Sequence, residues 1–331
     1  MSGRTAHLGA AAALAAALAA VAPIACGPPE VGGGDAAPGE RAQPVVFETG
    51  LIGEPVPPAE RIRIELLEPG REPRRALRYR PAAGAEQRGQ LHSEQVTEFV
   101  AAGRRLYSQK APSTDSQFDI RVEAISGGRI DCSLGIDSIG TPEWDRLAPG
   151  RGEELQRSLS SLEGHRIRFQ VDDRGRVAPL DLELPDEVGD ARAIAANLVH
   201  GVTGSVVPLP EEPVGPGARW RVVEDAPEVV GVAGPTVSEY TLTAASGDRL
   251  EIASTMQLPT APQPLQLTSR QLVGYSGGRS RAATTAVVDL RRVAALSLDM
   301  TLDIALEGRV VGDREIPFDA TGVNRLTIRT R

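Results

Sequence analysis

The residues of this chain that could do chemistry are few and scattered. Gly274-Tyr275-Ser276-Gly277-Gly278 fits the G-x-S-x-G pattern of a hydrolase nucleophile elbow. In that device a strand turns sharply into a helix, so the serine hydroxyl stands exposed, and its histidine normally follows in the chain. Here a strand-like run follows Ser276, and the last of the four histidines, His200, lies upstream. The pattern reads as a glycine-rich turn, and hydrolysis at Ser276 is not expected. His92, His165 and His200 are far apart, with no H-x-x-x-H pair and no companion cysteine, so no zinc site is expected. His200 falls near the end of a helix-like run, where the helix dipole favours positive charge. Asp172-Asp173-Arg174-Gly175 lacks the spacing and distal glutamate of a calcium loop and reads as a hairpin turn. Glu211-Glu212 and Asp186-Glu187 are sequence neighbours with nothing to pair them across a cleft, as a glycosidase requires. With no G-K-[ST] phosphate loop either, the expectation is a non-enzymatic protein with no cofactor and no metal.

The two cysteines point elsewhere. Arg4 precedes a weakly apolar run from Leu8 to Val21, dominated by Ala and Leu and ended by Pro23-Ile24-Ala25-Cys26. Residues 1–25 read as an export signal. The ending resembles a bacterial lipobox, whose cysteine is acylated and begins the mature protein, with Pro23 where leucine is usual. A plain secretory signal and an uncleaved anchor are the alternatives. The run of about 14 residues is short and weakly apolar against the ~30 Å of a bilayer core, which disfavours the anchor. The expected location is the membrane, through lipid on Cys26, facing the periplasm or cell surface; the alternative is a soluble secreted protein. Cys132 is then left alone in Ile130-Asp131-Cys132-Ser133-Leu134, a small buried strand residue. A Cys26–Cys132 disulfide would contradict the lipoprotein reading.

At 331 residues, with 41% apolar and 24% charged residues, the chain can bury a sizeable core. Its net charge of −8 and 3% aromatic content argue against nucleic-acid partners. Residues 26–60 begin as a Gly/Pro/Ala tether, with Val45-Val46-Phe47 a possible first strand. Alternation predicts strands at Arg61–Leu66, Ala76–Arg80 and, less distinctly from helix, Leu91–Ala101. Phe118–Ile125 and Arg129–Ile136 form a hairpin around Ser126-Gly127-Gly128. A helix is predicted over Gly152–Leu162, with Leu155, Leu159 and Leu162 on one face and Gly164 beyond it. Arg166–Val171 and Arg176–Leu184 make a second hairpin. Asp186–Val202 is the best helix, with Val188, Ala191, Ala195, Leu198, Val199 and Val202 on its apolar face. Later strands are Arg219–Val223, Val237–Thr243, Arg249–Met256, Ala282–Leu290, Ala294–Ile304 and Gly322–Arg329.

Two parts of the first half recur in the second. Ser126–Asp131 matches Ser246–Glu251 at an offset of 120, and Asp173–Leu184 matches Asp289–Met300 at an offset of 116. Arg78-Tyr79-Arg80 and Arg219-Trp220-Arg221 open the halves alike. Each half alone would leave sheet edges and a wet apolar face. The expectation is a mainly β (α+β) fold, a curved antiparallel sheet or tandem half-barrels, with one or two helices on its concave face. The units are residues 61–207 and 208–331, joined at the surface by Pro208–Gly217.

Pro210 to Trp220 fits P-x-x-P-V-G-x-G-x-x-W, a stretch found between β-rich halves in a family of uncharacterised bacterial envelope lipoproteins, which the chain resembles from about Leu77 onward. The resemblance implies no known activity. More loosely, curved sheet plus helix is similar to the Lol-type lipoprotein carriers and mycobacterial lipid-binding lipoproteins. The function expected is binding of a lipid or other apolar ligand in a β-cavity, with Leu155, Leu159, Ile194, Leu198, Trp220 and Tyr240 as candidate lining. The alternative is a structural lipoprotein with a filled core, partnered by another envelope protein. Trp144 and Trp220 could cap such a pocket, but each is more simply a core aromatic.

Overall fold

Alternating side chains and turn residues that accept positive φ build most of this molecule locally. The computed structural model describes residues 7–8, 62–101, 104–110, 113–143, 151–178, 180–181, 192–224, 235–260, 264–268, 271–311 and 316–331. Cys26, Trp144, Val45–Phe47 and the first part of the helix predicted from Asp186 lie outside them. Strands β1 (Ile62–Glu68), β2 (Glu86–Ala101), β3 (Arg104–Lys110), β4 (Thr114–Ser126) and β5 (Arg129–Gly140) come first. Helix α1 (Arg151–Ser160), β6 (Arg166–Asp172) and helix α2 (Arg192–Gly204) follow. The rest is strand: β7 (Arg219–Glu224), β8 (Thr236–Ser246), β9 (Arg249–Thr260), β10 (Pro264–Thr268), β11 (Gln271–Asp289), β12 (Ser297–Val311) and β13 (Ile316–Thr330). Apart from these, His7–Leu8 pairs with Leu180–Asp181.

The thirteen strands form one antiparallel sheet, curved and unclosed. Its main path is β1-β7-β8-β9-β11-β12-β13-β2-β4-β5-β6, with β10 beside β11 and β3 beside β2. Strands from the second half of the chain are consecutive in this order, flanked by strands of the first. The register pairs Ile62 with Glu224 at one junction and Gly89 with Thr330 at the other. Among the described residues no helix is long and apolar enough to cross a membrane.

The core follows the pleat. Phe118, Ile120 and Val122 of β4, Ile130, Cys132, Leu134 and Ile136 of β5, and Ile167, Phe169 and Val171 of β6 are all buried. Leu155, Leu159 and Leu162 of the predicted helical face are buried with them, and α1 packs on β5. Ala195, Leu198, Val199 and Val202 of α2 join the same core. A Cβ on Gly201 would meet Leu91 at 2.6 Å and Leu326 at 3.2 Å, so α2 lies closely against β2 and β13.

Four local expectations need correction. Ala76–Arg80 is not a strand. Arg75 makes an isolated bridge to Val214, and the Tyr79 and Arg80 amides donate to Asp173 and Leu290 carbonyls far along the chain. Arg176–Leu184 returns as a hairpin arm only at its start: Val177 bridges Val171, the Asp172 amide donates to the Arg176 carbonyl and the Ala178 amide to that of Gln170. Leu180–Asp181 pairs with His7–Leu8, and residues 182–184 lie outside the described ones. Gly274–Gly278 is not a turn but lies within β11, with a register shift between Tyr275 and Gly277. Finally, the proline joint lies only partly at the surface, where Glu211, Glu212, Pro213 and Gly217 are exposed. Leu209, Val214, Gly215 and Ala218 are buried, Val214 exchanges hydrogen bonds with Arg75, and the Gly217 amide donates to Leu242. A Cβ on Gly215 would stand 1.9 Å from the Arg71 carbonyl oxygen, so only glycine fits this crossing.

Candidate ligand cavity

A cavity of about 120 Å³ lies between the sheet interior, α2 and the chain that follows α2. The sheet supplies its walls at every second residue, as the pleat requires: Thr236, Ser238 and Tyr240 on β8, Ile252, Ser254 and Met256 on β9, and Leu298 and Met300 on β12. Helix α2 contributes Asn197, His200, Gly201 and Gly204, spaced i, i+3, i+4, i+7 and therefore on one face. Its other face carries Leu198, Val199 and Val202 into the core. Val206, Val207 and Pro208 complete the lining beside the helix end.

Two aromatics fix that last segment. The Tyr79 hydroxyl donates to the Val207 carbonyl at 3.2 Å and accepts from the Val207 amide at 3.1 Å. Trp220 Nε1 donates to the Pro208 carbonyl at 2.9 Å. The Trp220 ring stacks on Tyr240, with centroids 5.6 Å apart and planes 7° from parallel. Burial, with the Glu224 carboxylate adding to it, pushes the Tyr240 hydroxyl up to about 12; the Ser238 side chain opposes them.

The electrostatics are those of a site without cations. Among the described residues that line it there is no lysine or arginine, and Glu224 is a carboxylate at its edge. His200 is 1% exposed, and burial pushes its pKa down to about 4 against the opposing pull of the Ala196 carbonyl. The expected cationic helix-end histidine is thus a neutral one. Desolvation outweighs the dipole, which is worth only about 0.3–1 kcal/mol at an exposed helix end. Asn197 Oδ1, His200 Nδ1 and Thr236 Oγ1 are buried without a hydrogen bond of good geometry among the described residues.

Of the six candidate lining residues, Tyr240 lines this cavity. Leu155, Leu159, Leu198 and Trp220 are core residues, and Ile194 packs partly buried against that core; these five do not line it. Sequence reasoning missed Asn197, His200 and Gly201 because it followed only the apolar stripe of α2. A polar pair facing two glycines at helical spacing was the available signal.

Other candidate chemistry is spent on structure. Asp172 accepts from the Arg174 and Arg176 amides at 3.0 and 2.8 Å and from Arg176 Nε at 2.5 Å, closing its turn. Cys132 is a free, buried thiol whose pKa burial raises to about 12, with Asp131 and Glu123 adding to it. A thiol held protonated in this way is a poor nucleophile. His92 pairs with Asp115 at 2.6 Å on the exposed side of the sheet, which raises its pKa.

No family model and no curated protein matches the chain. Among solved structures it is similar to lipovitellin, in a study of lipid–protein interactions, at 13% identity and a TM-score of 0.45. That match covers 76% of this chain and 25% of the lipovitellin chain, so this chain spans about a quarter of its length. An outer membrane channel of Pseudomonas putida F1 aligns at 7% identity and a TM-score of 0.20, over 76% of this chain and 97% of that one. OmpT, an outer membrane protein of Vibrio cholerae, aligns at 6% identity and 0.16, over 75% and 98%. Likenesses this slight say nothing about what the chain binds.

Proposed function

We propose that the protein is a non-enzymatic lipoprotein of the bacterial cell envelope, anchored through Cys26, whose sheet interior holds an apolar ligand. The observation that carries the ligand is the cavity itself. Its walls include Ile252, Met256, Leu298, Met300 and Leu326, and at Gly204 of α2 an added Cβ would meet nothing within 4 Å. Protein interiors are otherwise close-packed, so a gap of about 120 Å³ stands out. The lipobox-like Pro23–Cys26 supports the anchor. The test of binding is calorimetric titration of the purified, delipidated chain with benzene, an uncharged apolar molecule small enough for the cavity. One saturable site, lost on filling the cavity with Ala286→Phe in a folded variant, is the expected result. The test of the anchor is labelling by a palmitate analogue in the native host, abolished by Cys26→Ala.

A second reading has its own support. Ligand pockets are commonly about 300–1,000 Å³, and this cavity is smaller. Trp220, Phe118, Leu134 and Leu159 fill the neighbouring core completely. A structural lipoprotein that works through an envelope partner is the reading left if benzene does not bind.

We also infer that the two halves are sister copies. One of the two register shifts of the β4–β5 hairpin lies between Val122 and Ala124, and that of the β8–β9 hairpin between Leu242 and Ala244, 120 residues on; the other β4–β5 shift, between Gln117 and Phe118, has no counterpart. The third strands agree less closely: Arg129 pairs with Asp172 and Arg249 with Asp289, whereas the sequence match aligns Asp289 with Asp173, one residue on. An experimental structure with these bulges at unrelated positions would remove the inference.

A further inference from the structure

Asn197 Oδ1, His200 Nδ1 and Thr236 Oγ1, on α2 and β8, line the cavity without a hydrogen bond of good geometry, although the Ala196 carbonyl also acts on the His200 ring. His200 and Thr236 are 1% and 3% exposed. Buried polar atoms are nearly always hydrogen-bonded, because one left bare loses its water without compensation. Three of them lining one cavity point to an occupant that supplies the missing bonds. We propose that the cavity binds an uncharged, hydroxyl-bearing amphiphile, its hydroxyl held among Asn197, His200 and Thr236 and its alkyl part against Ile252, Leu298 and Leu326.

The donor and acceptor inventory selects the hydroxyl. Asn197 Oδ1 only accepts, the threonine hydroxyl donates or accepts, and the imidazole nitrogen does either according to its tautomer. A ligand hydroxyl brings one donor and two acceptor lone pairs, and so can serve all three kinds of partner. Charge excludes the commoner lipid heads. A carboxylate or phosphate would enter a site with no described lysine or arginine, a neutral His200 and the Glu224 carboxylate nearby. An ammonium would find a single carboxylate in the described lining, Glu224, which already has an interaction of its own. Volume sets the length. An engineered apolar cavity of about 150 Å³ holds benzene, so about 120 Å³ takes the hydroxyl and the first several carbons. The rest of a longer chain would lie outside.

This inference rests on the cavity being a ligand site at all, and the test separates the two. The full chain carrying Cys26→Ala is titrated calorimetrically at pH 7.5 with 1-hexanol, hexanoate and benzene. The expected order is 1-hexanol at least tenfold tighter than hexanoate, with benzene also binding. In a folded Asn197→Leu/Thr236→Val variant, 1-hexanol weakens at least tenfold while benzene stays within about twofold. Hexanoate binding as well as 1-hexanol overturns the inference without any variant. So does a 1-hexanol affinity untouched by the double substitution, which leaves an apolar cavity with no polar subsite. A crystal soaked in 1-hexanol in which ordered waters still bridge the three atoms overturns it too. If benzene also fails to bind, the ligand reading of the cavity falls with it.

Discussion

His200 is 1% exposed beside the cavity, and taking an imidazolium out of water there is opposed only by the Ala196 carbonyl, so the ring stays neutral down to a pKa of about 4. The unfolded chain binds its proton near the ordinary 6.5, before the folded chain does. Stability therefore rises with pH across this window and falls as pH drops from about 6.5 to about 4, by about 3 kcal/mol for this group alone. Urea midpoints of the wild type and His200→Gln, compared from pH 4 to 7, isolate it from the carboxylates. The wild type should lose stability more steeply, and parallel curves would show that His200 titrates normally. Tyr79 makes a second residue-scale case. Its hydroxyl satisfies both the amide and the carbonyl of Val207 in a buried setting. Tyr79→Phe leaves both groups bare, and about 1–3 kcal/mol of stability should go with them. Because burial raises the Tyr79 pKa, opposed by the Val207 bond and aided by Tyr240, this hydroxyl keeps its proton well above neutral pH.

Across β4, β5 and β6, Asp119, Gly135 and Arg166 occupy one row of the ladder. Arg166 Nη2 reaches both carboxylate oxygens of Asp119, at 2.6 and 2.7 Å, and Nη1 reaches Ser133 at 3.0 Å. The pair closes over the glycine: a Cβ there would stand 2.4 Å from Asp119 Oδ1 and 2.8 Å from Arg166 Nη2. Gly135→Ala should cost about 1 kcal/mol by splitting an ion pair whose carboxylate is buried but whose guanidinium is about a third exposed. In an Arg166→Ala background the same change should cost much less, because the guanidinium no longer occupies the space. Additive effects in that cycle would deny the coupling. None of this was legible in the sequence, since the row is assembled by strand register. What was legible is local. The β4–β5 hairpin follows from Gly127-Gly128, both at positive φ, and α1 from its leucine spacing and Gly164 stop. The strand expected at Ala76–Arg80 failed because its alternation serves contacts with Asp173, Leu290 and Val207, which no local pattern announces. Gly274–Gly278 misled for the opposite reason. Glycines that suggest a turn can also sit in a long strand, and here they accompany a bulge.

At the scale of the whole molecule, the order of the strands decides how the chain must unfold. β1 comes from the start of the body yet pairs with β7, just past the proline segment, while β13 at the very end pairs with β2. Neither residues 61–207 nor 208–331 can therefore complete the sheet alone. The interior repeats the same dependence. Val207 and Pro208 are held by Tyr79 from one half and Trp220 from the other, and the Gly215 crossing leaves no room for even a methyl group. A chain of this length could unfold in stages, but a shared sheet and a shared core couple the halves into one cooperative unit. In a Trp144→Phe background Trp220 is the sole tryptophan, and its fluorescence reports the centre of the fold. Urea transitions followed by that fluorescence and by far-ultraviolet circular dichroism should superimpose. Gly215→Ala should move both to lower urea together, by 1–3 kcal/mol or more, the usual range for overpacking. Two separated transitions, or a residue 208–331 fragment that folds with a buried Trp220, would mean that the halves are independent domains. The β1–β7 and β13–β2 pairings would then be contacts between finished bodies, with the cavity belonging to only one of them.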